Sequence, residues 1–196
     1  YFPLARHEPP TKNRIKILMN GIFLPHRRFE DGIEAVSMLK KAGYGVNLSI
    51  IGDYDFDRSY YRALQVLVRE RGVDREVTFL GRVSEEELLH DYHTNDIFLF
   101  PNHLQSWGLA VFEAMSTGLP VIVSKTAGAA EVLEDKENAL LVNPGFGEEI
   151  AAGVRHLIGH PGEYLRLSRN GRKFVEHNLS WRNLADKMEG IFRGAC

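Results

Sequence analysis

Apolar positions along the chain switch between two periods. "RIKILMNGIF", "VNLSIIGD", "EVTFLG", "DIFLFP", "PVIVS" and "ALLV" are short runs rich in Ile, Val, Leu and Phe, and they read as buried strands. Between them lie segments with helical spacing. "EDGIEAVSMLKKAG" ends on Gly43, and "RSYYRALQVLVRERG" is stopped by Gly72, as a helix C-terminus prefers. "SEEELLHDYHT" places Ser84 three residues before Glu87, a capping box. A further helix follows Gly108, a short one spans Gly128 to Leu133, and the tail from Gly147 is helical, broken near Pro161 and restarting at Ser180 before Trp181. Six strands alternating with helices predict βαβ units: an α/β fold with a mostly parallel sheet covered by helices on both faces. Tyr1 to Arg14 has three prolines and no period, and reads as a linker or extended arm.

Composition adds few exclusions. The 196 residues are 44% hydrophobic, enough for one globular domain with a real core. The net charge of −2 does not suit a nucleic-acid or other polyanion binder. A lone cysteine, Cys196, permits no internal disulfide and fits a reducing, cytoplasmic setting. No apolar run approaches the roughly 20 residues of a membrane helix. The chain starts at Tyr1 without an initiator Met, so we expect a piece of a longer protein.

Ligands of parallel sheets sit in the loops at the carboxyl ends of the strands. In "PNHLQSWGLAVFEAMSTGLP", Gly108 lets backbone approach a ligand. The helix start behind it presents unpaired N–H groups to an anion such as phosphate. Glu113, about one turn in, can accept two hydrogen bonds from a vicinal diol such as ribose. Taken singly, Gly108 reads equally as a plain turn and Glu113 as a solvated side chain, but the flanking Ala110, Val111, Phe112, Ala114 and Met115 point to a largely buried helix. In "LPHRRFEDG", Arg27 and Arg28 precede a helix. Planar guanidinium groups there suit a diphosphate, although a solvated charge pair fits as well. "FLGRVSEEEL" could offer the backbone of Arg82 and Val83 to the edge of a base, or be an ordinary capped turn. No G-x-G-x-x-G is present, which speaks against a nicotinamide enzyme. His90 and His93 with Asp91 do not amount to a metal site and belong on the solvated side of their helix.

Together, "SIIGD", "VTFLGRVSEEEL", "SWGLAVFEAMSTGLPVIVSKTAGAAEVLED" and "NALLVNP", in this order and spacing, closely resemble the carboxy-terminal domain of glycosyltransferase family 4, the retaining GT-B nucleotide-sugar transferases. The resemblance runs from about Ile15 to Phe192 and extends to "LSWRNLADKMEGIF". It implies a Rossmann-like parallel sheet flanked by helices, one half of a GT-B fold: a linker remnant over 1–14 and a donor-binding domain with carboxy-terminal helices over 15–196, with the amino-terminal acceptor domain absent. The implied reaction transfers a sugar from a UDP-, GDP- or ADP-sugar to an acceptor hydroxyl with retention, without metal or cofactor, and the isolated piece is expected to be inactive.

Carried over residue by residue, the family's Glu, seven residues, Glu motif puts the ribose ligand at Glu113 and the donor-sugar contact at Gln105, an amide where the family has a carboxylate. The amides near Gly108 and Leu109, beside Trp107, match those that meet the donor's sugar or phosphates. After Gly21 the family has an Arg and then a Lys on the diphosphate; here Ile22 takes the first place and Arg27 the second, with Arg28 as a candidate substitute. Asp53 lies in the family's "GDG" turn, which reads "GDYDFD" here, in a structural role. The catalytic candidates are therefore Gln105 and Arg27. The alternative is a non-catalytic nucleotide-binding or interaction domain that kept the fold.

Overall fold

The structure is a computed structural model describing residues 8–104 and 107–179. All six predicted strands form: β1 (Ile15–Asn20), β2 (Val46–Ile51), β3 (Val77–Gly81), β4 (Ile97–Phe100), β5 (Val121–Ser124) and β6 (Leu140–Val142). They pair in parallel in the order β3-β2-β1-β4-β5-β6. The helices are α1 (Phe29–Lys41), α2 (Arg58–Arg71), α3 (Glu85–Thr94), α4 (Leu109–Ser116), α5 (Gly147–Gly159) and α6 (Pro161–Asn178), with single 3-10 turns at Pro25–Arg27 and Gly128–Glu131. The helix expected from Ser180 lies outside the described residues.

Strand alternation sorts the core onto the two faces of the sheet. Ile15, Ile17 and Met19 of β1, with Ile97 and Leu99 of β4, join Ile33 and Val36 of α1, Leu64 of α2 and Val154 of α5. Leu18, Phe98 and Phe100 point the other way, into a cluster with Tyr92 of α3 and Val111 and Met115 of α4. Helix α6 serves both faces, with Tyr164 and Leu167 in the first cluster and Val175 in the second. Full burial of each of these side chains contributes about 1.5–3 kcal/mol, so the sheet forms a firm platform for the loops.

Local chemistry starts two of the helices. The Asp57 side chain accepts hydrogen bonds from the Ser59 and Tyr60 amides and caps α2. Ser84 and Glu87 form the capping box foreseen for α3. Of the segment read as a linker, Lys12 to Arg14 is tied to the domain. The Gly45 amide donates to the Lys12 carbonyl at 2.9 Å, and the Ile15 amide donates to the Gly45 carbonyl at 2.9 Å.

Candidate functional site

Strands β1 and β4 lie side by side, but the chain leaves β1 toward β2 and β4 toward β5. The loops after them therefore diverge and open a crevice at their carboxyl ends, the usual ligand position in open α/β sheets. The two loops are bonded to each other: the His103 amide donates to the His26 carbonyl at 2.8 Å. The next loop joins them through the Thr126 hydroxyl, which donates to the Asn102 carbonyl at 2.9 Å.

Pro25 nucleates the 3-10 turn that ends in Arg27. The Arg27 side chain lies across Gly21, where an added Cβ would meet its Cδ and Nε at 3.4 Å. Its guanidinium carbon stands 5.8 Å from the centre of the Phe100 ring. The group is half-buried, and burial lowers its pKa from the ordinary arginine value, yet a guanidinium stays charged in proteins. Among the described residues, its buried Nε has no hydrogen-bond partner and it joins no ion pair. A half-buried cation without a protein counter-ion is set up to receive an anion.

Arg28, one residue on, has the opposite fate. Its backbone is left-handed (φ 55°), which turns the side chain back onto α1. Nε and Nη2 donate to the Asp31 carboxylate at 3.1 and 2.7 Å, and Nη1 pairs with Glu30 at 3.0 Å. The hydrogen bonds to Asp31, followed by attraction to Glu30, raise the Arg28 pKa against the effect of burial. Asp31 also accepts from the Gly145 amide at 3.1 Å. This cluster ties the loop after β6 to the start of α1.

Across the crevice, α4 begins at Gly108 with φ 73°; a Cβ there would sit 2.9 Å from the Phe100 ring. Gly108 has no side chain to cap this helix. The Val111 amide donates to the Gly108 carbonyl at 2.9 Å, and among the described residues the Leu109 and Ala110 amides remain available to a ligand. Arg27 and Gly108 thus flank one ring. Trp107 is 46% exposed and rests on Phe112 at 5.4 Å, and Leu109 is 66% exposed. Val111, Phe112, Ala114 and Met115 are buried, as the apolar neighbours of Glu113 suggested, while Glu113 itself is half-buried. Its Oε2 accepts from the Tyr92 hydroxyl at 3.0 Å, and that hydroxyl accepts from Asn20 Nδ2 at 2.9 Å.

The Arg82 and Val83 turn lies at the end of β3, to one side. The Arg82 side chain is exposed and paired with Asp53, which also accepts from the Asp55 amide at 3.0 Å, in keeping with a structural Asp53. Val83 is half-buried against the α4 face of the core. An open cavity of about 500 Å³ lies between Leu80, Arg82, Val83, His90 and Asp91. Among the described residues, no group of three or more His, Cys, Asp or Glu side chains could hold a metal ion.

The structure thus gathers Gly21, Arg27, Gly108 and the Glu113 helix at the β1/β4 crevice. It directs Arg28 into α1 and sets Arg82 and Val83 apart by two strands. Gln105 lies outside the described residues. Sequence reasoning passed over Asn20, Tyr92 and Phe100. Asn20 and Phe100 each end a strand at the crevice, a signal that strand assignment alone provides; nothing local marks Tyr92.

A parallel sheet in this order, with a cation that lacks a counter-ion among the described residues at its switch point, defines a Rossmann-like domain. Residues 4–174 match the model of the family described as glycosyl transferases group 1, and the chain belongs to that family. It is 28% identical over 177 residues to an uncharacterized glycosyltransferase of Methanocaldococcus jannaschii, covering 88% of this chain and 44% of the relative. It is 25% identical over 203 residues to a GDP-mannose-dependent alpha-(1-6)-phosphatidylinositol monomannoside mannosyltransferase of Mycobacterium tuberculosis, covering 98% and 52%. The structure of Anabaena HepE in complex with UDP and glucose superposes with a TM-score of 0.82 at 19% identity, over 93% of this chain and 49% of that one; at that identity the likeness concerns the fold. The chain spans about half the length of these curated relatives. Among the described residues, no helix is long and apolar enough to cross a membrane.

Proposed function

We propose that this chain is the donor-binding half of a retaining glycosyltransferase and holds the nucleoside diphosphate of a UDP-, GDP- or ADP-sugar in the β1/β4 crevice. The observation that carries this reading is Arg27, a half-buried guanidinium that has no counter-ion among the described residues, beside the start of α4, where Gly108 offers no side-chain cap. In this reading Arg27 and the first amides of α4 hold the diphosphate, Glu113 accepts from the ribose hydroxyls, and the backbone at Arg82 and Val83 meets the base. The family resemblance assigns the donor-sugar contact to Gln105, with Trp107 beside it in the sequence. Arg28 holds the loop through Asp31 and does not touch the donor.

Breaking the bond between the sugar and the diphosphate leaves negative charge on the diphosphate. Fixed dipoles and a cation already in place stabilise that charge without reorganising. Transfer itself requires an acceptor hydroxyl held from the other side, which we assign to an amino-terminal acceptor domain of the whole protein. The isolated chain then binds donor without turning it over, with no metal or cofactor.

One relative is GDP-mannose-dependent and one neighbour's structure contains UDP, so the base must be found by titration. Calorimetry with UDP, GDP and ADP, on the wild type and on Glu113→Ala, is the test. We expect one nucleotide to bind and the substitution to weaken it by roughly 10- to 150-fold. Unchanged affinity in Glu113→Ala would remove Glu113 from the site. Absence of binding for all three nucleotides, here and in the full-length protein, would overturn the reading.

A further inference from the structure

We infer that Tyr92 is the positioning residue for Glu113: its hydroxyl, itself held by Asn20, fixes the carboxylate in the orientation that receives the ribose hydroxyls. This rests on the proposed nucleotide site and adds to it a residue that touches no ligand.

The geometry is a three-member relay across three elements. Asn20 is the last residue of β1, Tyr92 lies on α3 and Glu113 on α4. Asn20 Nδ2 donates to Tyr92 Oη at 2.9 Å, and Tyr92 Oη–H donates to Glu113 Oε2 at 3.0 Å. The donor sense is set by chemistry. A carboxylate only accepts, so the phenol must give it the proton, and the phenol's lone pair is then left for the amide N–H. Tyr92 is wholly buried, its ring edge-on to Phe98 with centroids 5.8 Å apart. Burial, and then the Glu113 charge, push the phenol's pKa far up, so its proton stays in place at any working pH.

The consequence concerns preorganisation. A half-exposed glutamate on a helix samples several rotamers, and ordering it on binding opposes affinity. A fixed phenol lowers that cost by holding Oε2, and among the described residues Oε1 has no hydrogen-bond partner to give up before it receives a ribose hydroxyl. Polarisation along the relay strengthens each bond. The same relay links the ribose ligand to the residue just before Gly21, so the ribose and diphosphate halves of the site are held in one register.

The test compares Tyr92→Phe with the wild type, using whichever of UDP, GDP or ADP binds and the 2′-deoxy form of the same nucleotide, which offers one hydroxyl fewer. Thermal melts report whether the fold is kept. We expect Tyr92→Phe to bind the ribonucleotide roughly tenfold more weakly, to bind the deoxynucleotide within about twofold of wild type, and so to lose most of the discrimination between them. Asn20→Ala should do the same to a smaller degree. Equal weakening for both nucleotides would make Tyr92 a packing residue and overturn the inference, as would unchanged discrimination. Glu113→Ala separates this from the site itself. If that variant keeps the wild-type ribose preference, the nucleotide reading has failed and the inference falls with it. If it loses the preference while Tyr92→Phe retains it, only the role of Tyr92 is wrong.

Discussion

The loops after β1 and β4 and the loops after β2 and β3 are built from similar residues and satisfied in different ways. In the outer pair the polar groups answer one another. Asp57 caps α2, Ser84 and Glu87 close a reciprocal box on α3, and Asp53 pairs with Arg82. In the inner pair Arg27 has no counter-ion among the described residues, and α4 starts on Gly108 with no side-chain cap. A loop that has met its own electrostatic demands is holding structure. One that leaves a cation and a row of amides open at a switch point is waiting for an anion. Arg27 and Arg28 repeat the contrast between adjacent residues: one faces the crevice, while the other is locked to Asp31 and Glu30.

The severest way to break this contrast is to displace the Gly21 loop that carries Arg27. A Cβ on Gly52, whose φ is 152°, would stand 1.8 Å from the Gly21 carbonyl oxygen. Gly52→Ala must push the β1 and β2 loops apart, and we expect a loss of about 3 kcal/mol or more in a denaturant titration. Glu113→Ala should come next for binding, weakening the nucleotide by roughly 10- to 150-fold in calorimetry, while the melting temperature changes little. The two arginines should then split. Arg27→Ala should cost roughly tenfold or more in nucleotide affinity with stability almost unchanged. Arg28→Ala should leave affinity within about twofold and lower stability by about 1–2 kcal/mol, since it strands the buried Asp31 carboxylate but is itself partly screened by water. Equal effects of the two substitutions on affinity would erase the distinction.

The smallest effect expected is a pH dependence at His26. Burial, and next the Arg27 charge, lower its folded pKa from 6.5. The unfolded chain then binds the proton more readily, so His26 contributes stability above about pH 6.5 that is lost as pH falls through the lowered value. Melts of wild type and His26→Gln between pH 7.5 and about 5 should diverge by a small fraction of total stability. Saturating nucleoside diphosphate should shrink the divergence, because the anion offsets the Arg27 charge.

Much of the molecule was legible in its residue order, and for a local reason. Short apolar runs place β1 to β6 and helical periods place α1 to α6, because a sheet covered on both faces buries whole strands while each helix buries one stripe. The Ser84–Glu87 box needs only three residues' spacing and was readable outright. Glu113 was readable as a candidate because a lone carboxylate among Val111, Phe112, Ala114 and Met115 stands out. The 3-10 turn at Pro25–Arg27 was not, since one turn carries no period. Nor were the separate fates of Arg27 and Arg28, two identical side chains in one loop.

The amino-acid sequence by itself therefore determined the α/β class, the strand and helix order, the loops that bear the chemistry and the resemblance to a glycosyltransferase donor domain. Only the tertiary structure decided which groups in those loops are already satisfied. Arg28 is occupied because it donates to Asp31, whose carboxylate also accepts from the Gly145 amide, 114 residues away. Glu113 is oriented because Tyr92, 21 residues away, meets Asn20, 72 residues further back. Hydrogen bonds act at about 3 Å whatever the distance along the chain, and it is the packing of α1 beside α5, and of α3 and α4 on the sheet, that brings these partners within reach.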